Sequence, residues 1–209
     1  MQQSEYLIAQ AGELGVTLGL AQAESLLSYL HLIAKWNKVH NLTALREADK
    51  MLSHHILDSL SVQPYIAAEK LLDVGSGAGL PGIPLAIADP GLHVAVMDSN
   101  AKKTSFLRQA VTELGLKNVE VITGRIEGLS ASRQFDGIIS RAFSDINQFL
   151  AMSRQVLAER GRWYAMKGVV PDGELQQLPA DIVVLSIQSL TIPLLAAQRH
   201  LVIMKEADG

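Results

Sequence analysis

The chain contains no cysteine. That absence excludes disulfides, thiolate metal sites and any cysteine nucleophile together. No run approaches the roughly 18 uninterrupted apolar residues of a membrane-spanning helix. The opening residues, MQQSEYLIAQ, lack a basic stretch followed by an apolar core, so no signal peptide is expected there. Internal repeats and low-complexity tracts are missing too. Nor is there an excess of positive charge: 18 Lys+Arg stand against 21 Asp+Glu, a net charge of −3. That balance argues against a strongly basic nucleic-acid binder and leaves room for a local basic face. A cytoplasmic protein away from membranes is the expectation. What remains is 209 residues, 48% apolar, enough for one α/β domain with an added element.

The organising stretch is Lys70 to Ile87, KLLDVGSGAGLPGIPLAI. A short apolar run carrying Asp73 leads into Gly75, Gly77, Gly79 and Gly82, and a helical apolar pattern follows. This predicts strand, glycine-rich turn, helix. Glycines permit a tight turn and close approach of a ligand. The helix start is expected to offer amide groups to a polar or anionic ligand, with Pro81 and Pro84 suited to a first turn. Two cofactor readings compete. Gly77-x-Gly79-x-x-Gly82 with Asp98 some 20 residues on fits a dinucleotide fingerprint. Gly75-x-Gly77-x-Gly79 fits the S-adenosylmethionine cradle of class I methyltransferases. Asp73 favours the second. A buried acid at the end of a parallel strand needs a partner, and the amino acid end of S-adenosylmethionine carries a cation that a dinucleotide lacks. A glycine turn with no ligand is the bland alternative.

Residues 1–66 read as a helical extension, with helices ending near Gly12–Gly15, beginning at Thr17 or Gly19, and covering about Ser53 to Val62. From 67 to 209 strands and helices alternate, which implies a parallel sheet. Strands are expected at Leu71–Val74, His93–Met97, Val119–Thr123, Gly137–Ser140, Gly161–Met166, Ile182–Ile187 and His200–Met204. Helices are expected at about 82–88, 101–114 and 145–158, with a weaker one near 172–178. No helix separates the last two strands, so a terminal hairpin with an antiparallel final strand is predicted. That is the class I S-adenosylmethionine-dependent methyltransferase plan: an α/β, doubly wound, mostly parallel seven-stranded sheet.

Several residues carry candidate chemistry. Asp98 closes the second strand, where a carboxylate can accept both ribose hydroxyls; capping the helix from Ala101 is its alternative, though Ser99 or Asn100 would serve there. Lys102 is expected near the crevice mouth, while Lys103 and Arg108 read as solvated helix face. Ile126 and Glu127 follow the third strand, where adenine is expected. At the fourth strand exit stands Ser140-Arg141-Ala142, not the Asn/Asp-Pro-Pro-aromatic motif of amino-directed DNA methyltransferases. Pyrimidine C5 methylation needs a thiolate and is excluded. Oxygens, or a nitrogen with a free lone pair such as guanine N7, remain as acceptors. An N7 acceptor needs alignment rather than a base. Arg141 suits a phosphate or the guanine O6 edge, or an ordinary salt bridge. Asn37, Asn41 and Asp58, with Lys38, His40, Arg46, Lys50, His54 and His55 nearby, form either an RNA-facing wall or a polar network pinning the extension. Adjacent histidines diverge on a helix, so no metal is expected. Lys167-Gly168 and Arg199-His200 belong near the crevice or the RNA surface.

Together these phrases resemble one family. Trp36-Asn-Lys, Asn41-Leu-Thr43, His55-Ile-Leu-Asp58-Ser and Asp73-Val-Gly-Ser-Gly-Ala-Gly-Leu-Pro-Gly-Ile-Pro84 are similar to RsmG, also called glucose-inhibited division protein B. These are bacterial 16S rRNA guanine-N7 methyltransferases. Asp98-Ser, Lys102-Lys, Phe106-Leu, Ser140-Arg-Ala142 and Lys167-Gly168 continue the match over nearly the whole chain, the first 20 residues excepted. The resemblance implies S-adenosyl-L-methionine as donor and 16S rRNA or the small ribosomal subunit as partner. It implies that Gly75, Leu80, Ile126, Glu127 and Arg141 touch the donor, with Asp98 on its ribose. Asp73, Gly77 and Gly79 complete the expected donor set. Asn37, Asn41, His55 and Lys167 are assigned to the RNA side, and Arg141 to catalysis. A monomer is expected. A non-enzymatic donor- or nucleotide-binding regulator and an NAD-dependent oxidoreductase are the alternatives.

Overall fold

The computed structural model describes residues 2–45, 47–141, 143 and 145–207. Arg46 and Ala142, named above, lie outside the described residues. Helix α1 (Gln2–Glu13) buries Ser4, Leu7 and Ala11, one stripe at helical spacing. The long α2 (Leu20–His40) turns Ala23, Leu26, Tyr29, Leu32, Ile33 and Asn37 inward. Its start is closed by Gln22, whose side chain accepts the Gly19 amide at 2.7 Å. Its end is Asn41 in a left-handed conformation, φ +47°. A helical run then joins α3 (Ala48–Met51) through a π-helical segment (Leu52–Leu57) to α4 (Asp58–Leu60). The segment expected from Ser53 is thus helical, and it widens into a π-turn at the histidine pair.

The sheet alternates with its helices in the order β1 (Lys70–Val74), α5 (Gly82–Ala88), β2 (His93–Asp98), α6 (Ala101–Glu113), β3 (Val119–Thr123) and β4 (Phe135–Ser140). Then come α7 (Ile146–Ser153), β5 (Leu157–Lys167), α8 (Asp172–Leu175), β6 (Ile182–Ser189) and β7 (His200–Glu206). Strand order is β3-β2-β1-β4-β5-β7-β6. The first five strands pair in parallel, and β7 runs antiparallel between β5 and β6. The predicted seven strands and terminal hairpin are therefore present. Several boundaries differ. The helix expected to reach residue 158 ends at Ser153, and β5 begins at Leu157, earlier than its expected start at Gly161. The helix near 172–178 shrinks to Asp172–Leu175.

Two apolar layers sandwich the sheet. On one face Ile83, Leu85, Phe106, Leu107 and Ala110 join Leu26, Tyr29, Ile33 and Leu57 of the extension in a continuous core. On the other, Ile146, Phe149 and Leu150 of α7 pack on Leu72, Ala95, Ile138 and Trp163. The strand order reverses direction around β1 and β4, so their carboxyl ends open the crevice where ligands bind in such sheets.

Gly82 sets how closely α5 approaches the sheet. A Cβ there would lie 2.7 Å from Val96 Cγ1 and 2.9 Å from Asp73 Oδ2. Gly82→Ala is therefore expected to lower unfolding free energy by about 1–3 kcal/mol, the cost of overpacking. A Cβ at Gly12, by contrast, meets nothing within 4 Å. Gly12→Ala should leave stability unchanged or raise it by less than about 1 kcal/mol. Urea unfolding of both variants at equal m-value checks the contrast.

Candidate functional site

The glycine turn is built on two carboxylates. Asp73, one residue before the end of β1, is fully buried, and its Oδ2 accepts the Gly82 amide at 2.8 Å. The start of α5 thus donates to the protein's own acid, contrary to the expectation that it faces a ligand. Oδ1 of Asp73 has no hydrogen-bond partner among the described residues. Burial pushes the Asp73 carboxyl up to about 7, against the opposing pull of the Gly82 amide and of Arg141. Asp98, at the end of β2 and 7% exposed, accepts the Gly77 amide on Oδ2 at 2.9 Å and the Asn100 amide on Oδ1 at 2.8 Å. It does not cap α6. Asn100 does, accepting from the Lys102 and Lys103 amides at 2.9 and 3.4 Å. Each Asp98 oxygen retains acceptor capacity, since a carboxylate has about four lone-pair sites.

The glycines divide the work. Gly75 and Gly77 have φ of +70° and +59°, which form the turn. At Gly79, φ +82°, a Cβ would lie 2.6 Å from Tyr29 Oη and 2.7 Å from Leu107 Cδ2. Its bareness serves packing from below rather than a ligand above. Leu80 is likewise buried, and its amide closes the turn on Ser76 O at 2.9 Å.

A cavity of about 370 Å³ opens beside this turn, lined among others by Gly75, Asp98, Lys103, Ile126, Glu127 and Phe143. It gathers four of the predicted donor residues. Lys103, read from sequence as helix face, lines it with Nζ 3.7 Å from Asp98 Oδ2, whereas Lys102 is exposed and not among its lining. A larger hollow of about 480 Å³ lies at the opposite, amino edge of the sheet near His93 and Lys117, away from the turn.

Arg141 leaves β4 toward the extension. Its Nη1 donates to Asp58 Oδ2 at 2.9 Å and to the His54 carbonyl at 3.2 Å. Asp58, whose side chain is 1% exposed, also receives Arg199 Nε on Oδ1 at 2.9 Å. One buried carboxylate therefore joins two guanidinium groups, which offset its desolvation. His55, on the π-turn, is 4% exposed, and neither ring nitrogen makes a hydrogen bond among the described residues. Burial, then the nearby Arg141 charge, lowers its pKa to about 4. It is a neutral imidazole at pH 7.

The remaining predicted residues are placed as follows. Asn37 is buried; its Nδ2 donates to Leu45 O at 3.1 Å and its Oδ1 accepts the Thr43 amide at 2.9 Å. It holds the turn after α2 through bonds that stay within the extension. Asn41 is the exposed cap of that helix. Lys167 pairs with Glu174 at 3.0 Å and reaches the carbonyl of Phe143, a cavity residue, at 3.4 Å. Among the described residues no group of three His, Asp or Glu side chains could hold a metal ion. No helix among the described residues is long and apolar enough to cross a membrane. Tyr29 is legible in the sequence only as one position of a helical apolar stripe.

The two buried groups titrate with opposite sign. Asp73 binds a proton more tightly folded than unfolded, so its contribution to stability is complete below about pH 4 and is lost as pH rises toward 7. His55 binds a proton less tightly folded, so its contribution is present above about pH 6.5 and is lost as pH falls toward 4. In the native chain the two offset each other. Asp73→Asn should leave stability rising between pH 4 and 6.5, and His55→Gln should leave it falling between pH 4 and 7. The unmasked changes should be on the order of 2 kcal/mol. Denaturant midpoints measured across that range check both slopes.

The geometry has solved counterparts. The chain resembles the ribosomal protein L11 methylase of Lactobacillus delbrueckii subsp. bulgaricus with TM-score 0.57 and 13% identity, over 73% of this chain and 77% of that one. A coclaurine N-methyltransferase bound to N-methylheliamine and SAH is similar with TM-score 0.55 and 15% identity, over 78% and 58%. At such identity these likenesses speak for the fold alone. Sequence relatives say more. A ribosomal RNA small subunit methyltransferase G from Laribacter hongkongensis is 50% identical over 97% of this chain and 98% of its own. One from Nitrosospira multiformis is 53% identical over 91% and 94%. The model of the family described as rRNA small subunit methyltransferase G matches residues 22–202, and the chain belongs to that family of ribosomal RNA methyltransferases.

Proposed function

We propose that the chain transfers the methyl group of S-adenosyl-L-methionine to N7 of one guanine in 16S rRNA, as a single-copy enzyme acting on the RNA or on the small subunit. The observation that carries the donor reading is the cavity beside the glycine turn, with Asp98 on its wall and Asp73 Oδ1 buried without a hydrogen-bond partner among the described residues. A carboxylate oxygen in that state suits the ammonium of the donor's amino acid end. Asp98 would take the ribose hydroxyls, and Ile126 with Glu127 the adenine. Gly75 lines the cavity; Gly77, Gly79 and Leu80 shape the turn. When bound, S-adenosylmethionine supplies a methyl on a sulfonium, open to in-line attack by a lone pair.

The acceptor reading rests on the exit of β4. Ser140 Oγ donates to Val74 O at 2.7 Å, and Arg141 brings a cation held by Asp58. Neither side chain accepts a proton from an exocyclic amine. Guanine N7 has no proton to lose, so alignment suffices. In this reading Arg141 orients the acceptor through a phosphate or the O6 edge, and His55, Asn37, Asn41 and Lys167 stand on the RNA side.

The test is methylation of small-subunit RNA, free and in particles, followed by mass analysis of its nucleosides. 7-Methylguanosine is the expected product; another methylated nucleoside, or donor binding without turnover, defeats the reading. Asp98→Ala should weaken donor binding by roughly tenfold to a thousandfold, since hydrogen bonds to a charged group contribute about 1.5–3 kcal/mol each. Calorimetric titration of the folded variant checks it. Arg141→Lys keeps the charge but not the forked geometry. It should lose about 100-fold in single-turnover rate through misalignment while retaining most donor affinity. If Arg141 serves only its pair with Asp58, the melting temperature falls and turnover per folded molecule stays near normal.

A further inference from the structure

The helical extension touches the glycine turn directly. Tyr29 lies in the middle of α2, fully buried, and its hydroxyl donates to the carbonyl of Ala78. Ala78 sits between Gly77, whose amide goes to Asp98, and Gly79, whose missing Cβ leaves room for the Tyr29 hydroxyl. The Tyr29 ring stacks on Phe106 of α6, centroids 6.3 Å apart. Trp36, two turns further along α2, meets the same Phe106 edge-on at 5.5 Å. Helix α6 is the one that follows Asp98. A single helix of the extension thus braces both walls of the cavity: the turn through a hydrogen bond, and α6 through ring packing.

We infer that Tyr29 is a positioning residue for the methyl donor, and that α2 is a structural part of the donor site rather than an appendage beside it. The inference rests on the donor reading above. Residues at left-handed φ leave a glycine turn many alternative conformations. A buried carbonyl that loses its donor is strongly disfavoured, so with the hydroxyl in place the turn is held in the one shape that presents Gly77 to Asp98. Burial and the neighbouring Asp73 raise the Tyr29 pKa, so the hydroxyl stays a donor through the neutral range.

Tyr29→Phe removes the hydroxyl and keeps the ring. The control is Gln22→Ala. Gln22 lies nearer the start of α2, where its Nε2 donates to Ala88 O at 2.7 Å and ties the helix to α5 away from the turn. Three quantities are measured on the full chain: melting temperature, calorimetric affinity for S-adenosylmethionine and S-adenosylhomocysteine, and amide hydrogen exchange from Gly77 to Leu80 without ligand. Tyr29→Phe should weaken both ligands roughly tenfold and speed exchange at Gly79 and Leu80 by a similar factor. Gln22→Ala should lower the melting temperature and leave affinity within about twofold of the parent. Equal loss of affinity in the two variants would reduce Tyr29 to a general stabiliser and overturn the inference. So would unchanged exchange and affinity in Tyr29→Phe. If the parent binds neither ligand, the donor reading fails instead, and the inference about donor positioning falls with it.

Discussion

The buried carboxylate of Asp73 is the constraint on which this structure turns. Asp73 is fully buried just before the carboxyl end of β1, so its ionisable group must be partnered or protonated. Here one oxygen draws in the first amide of α5 and the other has no hydrogen-bond partner among the described residues. That single bond sets the angle at which the glycine turn leaves β1, and Gly82 allows the helix to come close enough to make it. Asp98 repeats the device one strand over by holding Gly77. The turn is therefore suspended between two acids, and the cavity is the space that this suspension keeps open.

Much of this plan is readable from residue order. Strand, glycine turn and helix follow from local chemistry, and so do the alternating elements and the last hairpin, because periodicity and glycine placement act over few residues. The stretch from 154 to 160 is different. Its apolar residues suit a helix continuing from α7 as well as a strand; Arg154–Val156 close as a 3-10 turn, and pairing with β4 at Leu157 begins the strand. Site contacts were least legible where they span long separations. Arg141 and Arg199 meet Asp58 across 83 and 141 positions, and Tyr29 meets Ala78 across 49. No spacing rule encodes such encounters. Asp73 shows a subtler limit: its need for a partner was clear, but an amide nine residues away meets half of it.

The extension owes its hold on the sheet to a mixture of interactions. Apolar packing from Leu26, Ile33 and Leu57 supplies area. The Asp58 bridge supplies orientation, since a carboxylate shared by two guanidinium groups has few acceptable geometries. The π-turn before it places His54 O and Asp58 on the same side, so that Arg141 reaches both. Such turns frequently accompany functional sites. This one lies beside a neutral, buried histidine.

The position of β7 has a consequence for how the molecule is made. Strand β5 pairs with β7, not with β6, although β6 comes first in the chain. Until residues 200–206 leave the ribosome, β5 has an open hydrogen-bonding edge and β6 has no place to dock. Chain synthesis proceeds at about 5–20 residues per second, so that edge waits seconds for its partner. Closure of the sheet thus waits for its last strand in chain order.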